Sequence, residues 1–186
     1  MNSATILTLA VVVLVVVVLG FWFASRRRRS AELRSHFGAE YDRAVDDYGD
    51  AGRAERALTQ RAERVEQLHI RPLSPDRSAH YASEWRAVQA RFVDDPAAAI
   101  AEADRLIGEA MQARGYPMSD FEQRAADISV EHPDVVEHYR AAHAIAVRTA
   151  GDEGQTEDMR QAMLHYRFLF DDLIDSRQPA TQEAHR

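Results

Sequence analysis

The sequence has no cysteine and no lysine among its 186 residues. The first absence excludes disulfides, cysteine nucleophiles and thiolate metal sites, and it leaves the compartment open. The second excludes a P-loop, a pyridoxal Schiff base and a kinase-type ATP lysine, because each needs an ammonium group that this chain does not carry. All 23 basic residues are arginine, which a coding bias explains most simply. Alternating strand patterns with turn chemistry are missing too, and no repeat of solenoid length is evident. The fold class that remains is all-α.

Charge is unevenly spread. The first 29 residues hold four arginines and no acidic residue, whereas the other 157 hold 19 arginines against 30 acids, a net charge of −11. Such a surface repels phosphate backbones, which argues against nucleic acid as a partner.

The apolar content is concentrated in ATILTLAVVVLVVVVLGFWF, the 20 uncharged residues from Ala4 to Phe23. As a helix rising about 1.5 Å per residue this run spans about 30 Å, one bilayer crossing. Arg26, Arg27, Arg28 and Arg29 follow it, and such a flank stays in the cytoplasm because it is costly to translocate and is drawn to anionic lipid. The sequence therefore predicts a single-pass anchor in the inner (cytoplasmic) membrane, N-terminus outside and C-terminal domain cytoplasmic. A cleaved signal peptide followed by secretion is the alternative. Against it stand the length of the run, the absence of a basic residue before it, and arginines where a small-residue cleavage site belongs.

Helical punctuation divides the rest. Residues 1–29 read as anchor and basic flank, 30–71 as an amphipathic stalk or hairpin, 72–175 as a compact bundle of about five helices, and 176–186 as a disordered polar tail. Within the stalk, Ala31 to Tyr48 carries a stripe at Leu33, Phe37, Tyr41, Ala44 or Val45, and Tyr48. A second helix from Arg53 to Leu68 carries Ala54, Leu58, Val65 and Leu68. Heptad-like spacing lasts about two repeats on each side of the intervening glycines, so the stalk offers a homodimer face shorter than coiled coils usually need.

Ile70-Arg71-Pro72-Leu73 reads as extended, because proline biases the residue before it away from helix. Ser74-Pro75 and Asp95-Pro96 are cap-plus-proline starts. Gly115 ends the helix after Asp95, Ser119 and Glu122 form a capping box, Pro133 opens a helix to about Thr149, and Thr156 caps the last one, to about Ile174. The predicted core faces are Tyr81, Trp85, Val88 and Phe92; Ile100, Ala103, Leu106, Ile107, Ala110 and Met111; and Met159, Met163, Tyr166, Phe170 and Leu173.

Reactive side chains concentrate in Glu131-His132-Pro133-Asp134, Glu137-His138-Tyr139-Arg140 and His143, with His165 on the last helix. His143 falls on the apolar face of its helix with Val136 and Tyr139, where burial favours the neutral ring. Glu131, His132, Tyr139, His143 and His165 are thus the candidate acid–base or small-ligand residues. No metal or other cofactor is expected: successive histidines from His132 lie six and five residues apart, not three or four, and HExxH is absent. The competing structural reading makes His132 a cap, His143 and His165 hydrogen-bonded core or boundary residues, and Asp134 an i, i+4 partner of His138. Arg140, Arg160 and Arg167 read either as a clamp for an anion or as surface ion pairs.

The segments HIRPLS from His69, WRAVQARFVDDP from Trp85, RGYP from Arg114, FEQRAADISVEHP from Phe121, YRAAHAIA from Tyr139 and TEDMRQAMLHYRFLF from Thr156 resemble a family of small bacterial proteins. These are often carried behind one hydrophobic N-terminal helix and have no assigned activity. The resemblance implies an all-α bacterial protein and brings over no functional residue. The leading expectation is a membrane-tethered helical module that binds another protein and does no catalysis. The alternative is a pocket built on Tyr139, His143 and His165.

Overall fold

The computed structural model describes residues 3–149 and 156–175, with side chains for all of these except 3–12, 15 and 149. The sequence Gly151-Asp152-Glu153-Gly154, which reads as a polar loop, and the expected tail at 176–186 lie outside the described residues. Eight helices and no strand occur among the described residues: α1 (Ser3–Phe37), α2 (Ala39–Tyr48), α3 (Ala51–Glu66), α4 (Pro75–Arg91), α5 (Pro96–Arg114), α6 (Phe121–Glu131), α7 (Pro133–Thr149) and α8 (Thr156–Ile174). The protein is all-α.

Among the described residues no helix is long and apolar enough to cross a membrane. The crossing expected over Ala4–Phe23 lies on α1, but the side chains of 4–12 and 15 are outside the described ones. The described residues thus support a helix over this run and do not support its transmembrane character.

The chain divides into two compact units, Met1–Thr59 and Gln60–Arg186, with the division inside α3. In the first unit, the single helix expected from Ala31 to Tyr48 is corrected. α1 runs through the arginines to Phe37, and the chain restarts at Ala39. The break is Gly38, at φ +51° and ψ −126°, a conformation closed to residues with a Cβ. Among the described residues of this unit, Phe37, Tyr41, Ala44, Ala54 and Leu58 are buried and apolar.

In the second unit the last turns of α3 are tied to α6. Arg61 Nη1 donates to Ser129 Oγ at 2.9 Å, and Arg64 pairs with the buried Asp127. The segment after α3 lies along the end of α5, where the Arg71 N–H donates to the Arg114 carbonyl at 2.8 Å. Gly115 ends α5 at φ +109°, and a Cβ there would meet the His69 carbonyl oxygen at 2.7 Å. Only glycine allows that turn and that approach.

The other helix starts follow local chemistry. Ser74 Oγ accepts from the Arg77 N–H at 3.4 Å, and Asp95 Oδ1 from the Ala98 N–H at 3.0 Å, each ahead of a proline. At α6 the expected capping box is corrected. Asp120, not Ser119, is the cap, accepting from the Gln123 N–H at 2.9 Å, while the Ser119 hydroxyl is buried without a partner. Glu122, freed from the box, takes Arg140 of α7 at 3.0 Å.

Helices α4–α8 enclose one apolar core in which the Trp85 and Phe170 rings stack with centroids 4.5 Å apart. All six residues expected inward on α5 and all five on α8 are buried. On α4, Trp85 and Val88 are buried, whereas Tyr81 and Phe92 pack at the core's edge.

Candidate functional site

The candidate residues fall into three separate groups. Glu131 and His132 sit where α6 ends. The His132 N–H closes α6 on the Ile128 carbonyl at 2.8 Å, so its backbone is a helix cap, as the structural reading has it. Its ring lies between two helix ends. Nδ1 faces Asp172 of α8, and Nε2 lies 3.2 Å from Arg114 Nη1 of α5. Arginine can only donate, so Nε2 carries the lone pair and the proton sits on Nδ1, facing the Asp172 carboxylate. The hydrogen bond from His132 pulls the Asp172 carboxyl below its ordinary value. Arg114 also donates to the Leu173 carbonyl at 3.3 Å and lies 3.6 Å from Glu131, and Glu131 in turn accepts from the Tyr116 hydroxyl at 2.8 Å. Burial, then the Glu131 charge, pushes the Tyr116 phenol well up. The arrangement braces the ends of α5, α6 and α8, and it leaves His132 no free basic nitrogen.

Tyr139 and His143 belong to a second group centred on Asp104 of α5. The Tyr166 hydroxyl donates to Asp104 Oδ1 at 3.1 Å, while His143 Nδ1 and Arg124 Nη2 each lie 3.9 Å from the carboxylate. The His143 ring stacks on Phe121 at 3.6 Å, and Tyr139 packs against the same phenylalanine at 4.9 Å. Burial lowers the His143 pKa, with Asp104 opposing and Arg124 assisting, and the ring is neutral near pH 7 as expected. Burial and then Asp104 raise the phenols of Tyr139 and Tyr166, which stay protonated. The Tyr139 hydroxyl is buried and has no hydrogen-bond partner.

His165 is in neither group. Its Nδ1 lies 2.9 Å from Nδ1 of His138, whose ring also stacks on Phe168. Two nitrogens meeting this way cannot both donate to each other, so one holds the proton and the other the lone pair. Burial, then His138, lowers the His165 pKa. His138 therefore pairs across helices and not with Asp134 one turn away. No three histidine or carboxylate groups among the described residues are arranged to hold a metal ion.

Tyr139 and His143 are brought together, then, but His165, Glu131 and His132 lie elsewhere. Arg140, Arg160 and Arg167 each meet a different carboxylate, Glu122, Glu157 and Asp171, and form no common clamp. Sequence reasoning missed Asp104, Arg114, Arg124 and Asp172. For Asp104 a signal existed: it is four residues from Ile100 on the inward face of α5, a carboxylate one helical turn from a core position.

The arginine flank builds a different surface. Trp22, Phe23, Arg26, Arg27, Arg34 and Tyr41 line a cleft of about 830 Å³ between α1 and α2. The Arg26, Arg27 and Arg34 guanidinium carbons lie 5.5, 4.6 and 4.7 Å from the ring centres of Trp22, Phe23 and Tyr41.

No family model matches the chain, and comparisons with curated proteins and with solved structures find no match either.

Proposed function

We propose that the chain is a single-pass membrane protein that presents an acidic helical module at the cytoplasmic face, where the module binds another protein and performs no catalysis. The observation that carries this reading is the state of α1. Nine large apolar side chains between Val13 and Phe23 are each 53% to 75% exposed. Burying one such side chain is worth about 1.5–3 kcal/mol, so water is a poor solvent for the row and lipid a good one. The remaining run, residues 4–12, continues the same composition, and Arg26 to Arg29 set the inner side.

For the module, Leu164 and Phe168 stand exposed one turn apart on α8, in a unit whose charge is acidic. They supply apolar contact for a basic partner. The alternative pocket on Tyr139, His143 and His165 draws on Asp104 beside His143, but it lacks convergent free groups. His165 is engaged by His138, and the Tyr139 hydroxyl reaches none of them.

The lack of native cysteine makes the topology test clean. In intact spheroplasts an impermeant maleimide should label Ser3→Cys, and should label Thr181→Cys only after lysis. A chain found in the soluble fraction, or trimmed near its arginines, overturns the anchor. Detergent co-purification should return a stoichiometric protein partner, lost in a Leu164→Glu/Phe168→Glu variant. Turnover of a small molecule by the purified chain would overturn the non-catalytic reading.

A further inference from the structure

The cleft between α1 and α2 holds cationic groups that the protein itself leaves unneutralised. Arg26 and Arg27 lie over Trp22 and Phe23, each one turn away on α1, and among the described residues neither is ion-paired. Arg34, over Tyr41, shares its charge with Asp42 at 3.3 Å. The hydroxyls of Ser30 and Tyr41 are already committed, donating to Glu55 at 2.5 and 3.0 Å. What the cleft still offers is therefore two guanidiniums, each with planar donors suited to phosphate oxygens, set on aromatic walls. The aromatic rings hold the guanidiniums by their faces and do not cancel the charge. A volume of about 830 Å³ suits a head group and the start of its chains.

We infer that this cleft binds the phosphate head group of an anionic phospholipid, with Arg26 and Arg27 on the phosphate and the acyl chains lying along Leu19 and Val16. The lipid, and not a free phosphate, is favoured because the rings of Trp22 and Phe23 continue directly into the exposed apolar row of α1. A soluble phosphate ester would leave those walls wet. Arg28 and Arg29 belong to the same basic run but do not line the cleft. A site thus differs from simple attraction of the flank to a charged surface.

The inference rests on the membrane reading, and the test separates the two. Flotation of the full chain on liposomes of phosphatidylcholine alone reports the anchor without any anionic lipid. Failure to float overturns the anchor and the lipid site together; flotation leaves the site to stand on its own result. That result comes from native mass spectrometry of the full chain in detergent, titrated with phosphatidylglycerol and with phosphatidylcholine. The expected outcome is one phosphatidylglycerol retained per chain in preference to phosphatidylcholine, with retention falling roughly 30-fold in Arg26→Gln/Arg27→Gln. Arg28→Gln/Arg29→Gln, with the same loss of charge, should retain the lipid. Equal losses in the two double variants, or no preference between lipids, would overturn the site. Inorganic phosphate that displaces the lipid at equal concentration would overturn the assignment to lipid. Circular dichroism on both variants, and partial rescue by Arg26→Lys/Arg27→Lys, separate loss of the site from loss of the helix.

Discussion

Replacing Arg64 should harm the protein more than removing the charge it serves. Asp127 is 1% exposed, and its two donors are Arg64 and the Gln123 side-chain amide, the latter at 3.0 Å. In Arg64→Met the carboxylate stays in place with one neutral donor. Breaking a buried pair from one side costs about 3–5 kcal/mol. Here the Arg64 side chain is 44% exposed, so water reaches its position once it is gone. That places the expected cost at about 2–3 kcal/mol. Asp127→Asn keeps the shape and both hydrogen bonds while dropping the charge, at about 1 kcal/mol. In the double variant no buried charge is left unpaired, so the loss should stay close to that of Asp127→Asn and fall short of the sum of the singles by about 2–3 kcal/mol.

Thermal unfolding of the full chain in detergent, followed by helical circular dichroism, measures this directly. At about 2–4 °C per kcal/mol, Arg64→Met should lower Tm by about 4–12 °C and Asp127→Asn by about 2–4 °C. Equal effects, or strict additivity in the double variant, would refute the reasoning. Asp127 would then be solvated in the folded state, and the tie between α3 and α6 would owe nothing to the ion pair.

Three further outcomes follow from the same geometry. Tyr139→Phe removes a buried hydroxyl that has no partner and should be neutral or stabilising by about 1 kcal/mol, whereas Tyr166→Phe takes a donor from Asp104 and should cost about 1 kcal/mol in the same unfolding assay. Gly115→Ala meets both a positive φ and the His69 carbonyl and should cost roughly 2–4 kcal/mol, detected as a lower urea midpoint. His143 and His165 both have folded pKa values below their ordinary 6.5, so the unfolded chain binds more protons just below that pH. Stability should be full above about pH 6.5, fall as pH drops, and level off once the folded rings protonate, a slope that His143→Gln/His165→Gln should largely remove.

The helix punctuation of the bundle was legible because it is local. Ser74 with Pro75, Asp95 with Pro96, and Gly115 each act within one helical turn, and each does what its residue type allows. Gly38 was missed because a glycine inside a periodic stretch costs only about 1 kcal/mol relative to alanine and reads as tolerated. Nothing in the stripe from Leu33 to Tyr41 reveals its left-handed φ. At α6 two adjacent residues were both good caps. The choice of Asp120 is tertiary, because Ser119 is buried and Glu122 is drawn to Arg140 on the next helix. Periodicity gave the faces of α5, α7 and α8 but not which faces meet. Tyr166 and Asp104 are 62 residues apart, and so their contact has no short-range signature.

The same limit explains the histidines. Read along the chain, His132, His138, His143 and His165 look like one reactive concentration. In the fold each is used by a different neighbour: His132 by Asp172 and Arg114, His143 by Phe121 beside Asp104, and His138 with His165 by each other. A general base needs a lone pair free to meet a substrate, and for His132 that lone pair is taken by an arginine that can do nothing but donate. The ring is a strut between helix ends for the same reason that it is a poor base. Unspent binding capacity lies instead at Arg26 and Arg27, whose charges meet aromatic faces and no carboxylate among the described residues. Charge that a fold leaves uncompensated beside an apolar wall calls for an anion with an apolar body, which is why the flank of α1, more than the bundle's histidines, is where a ligand should be sought.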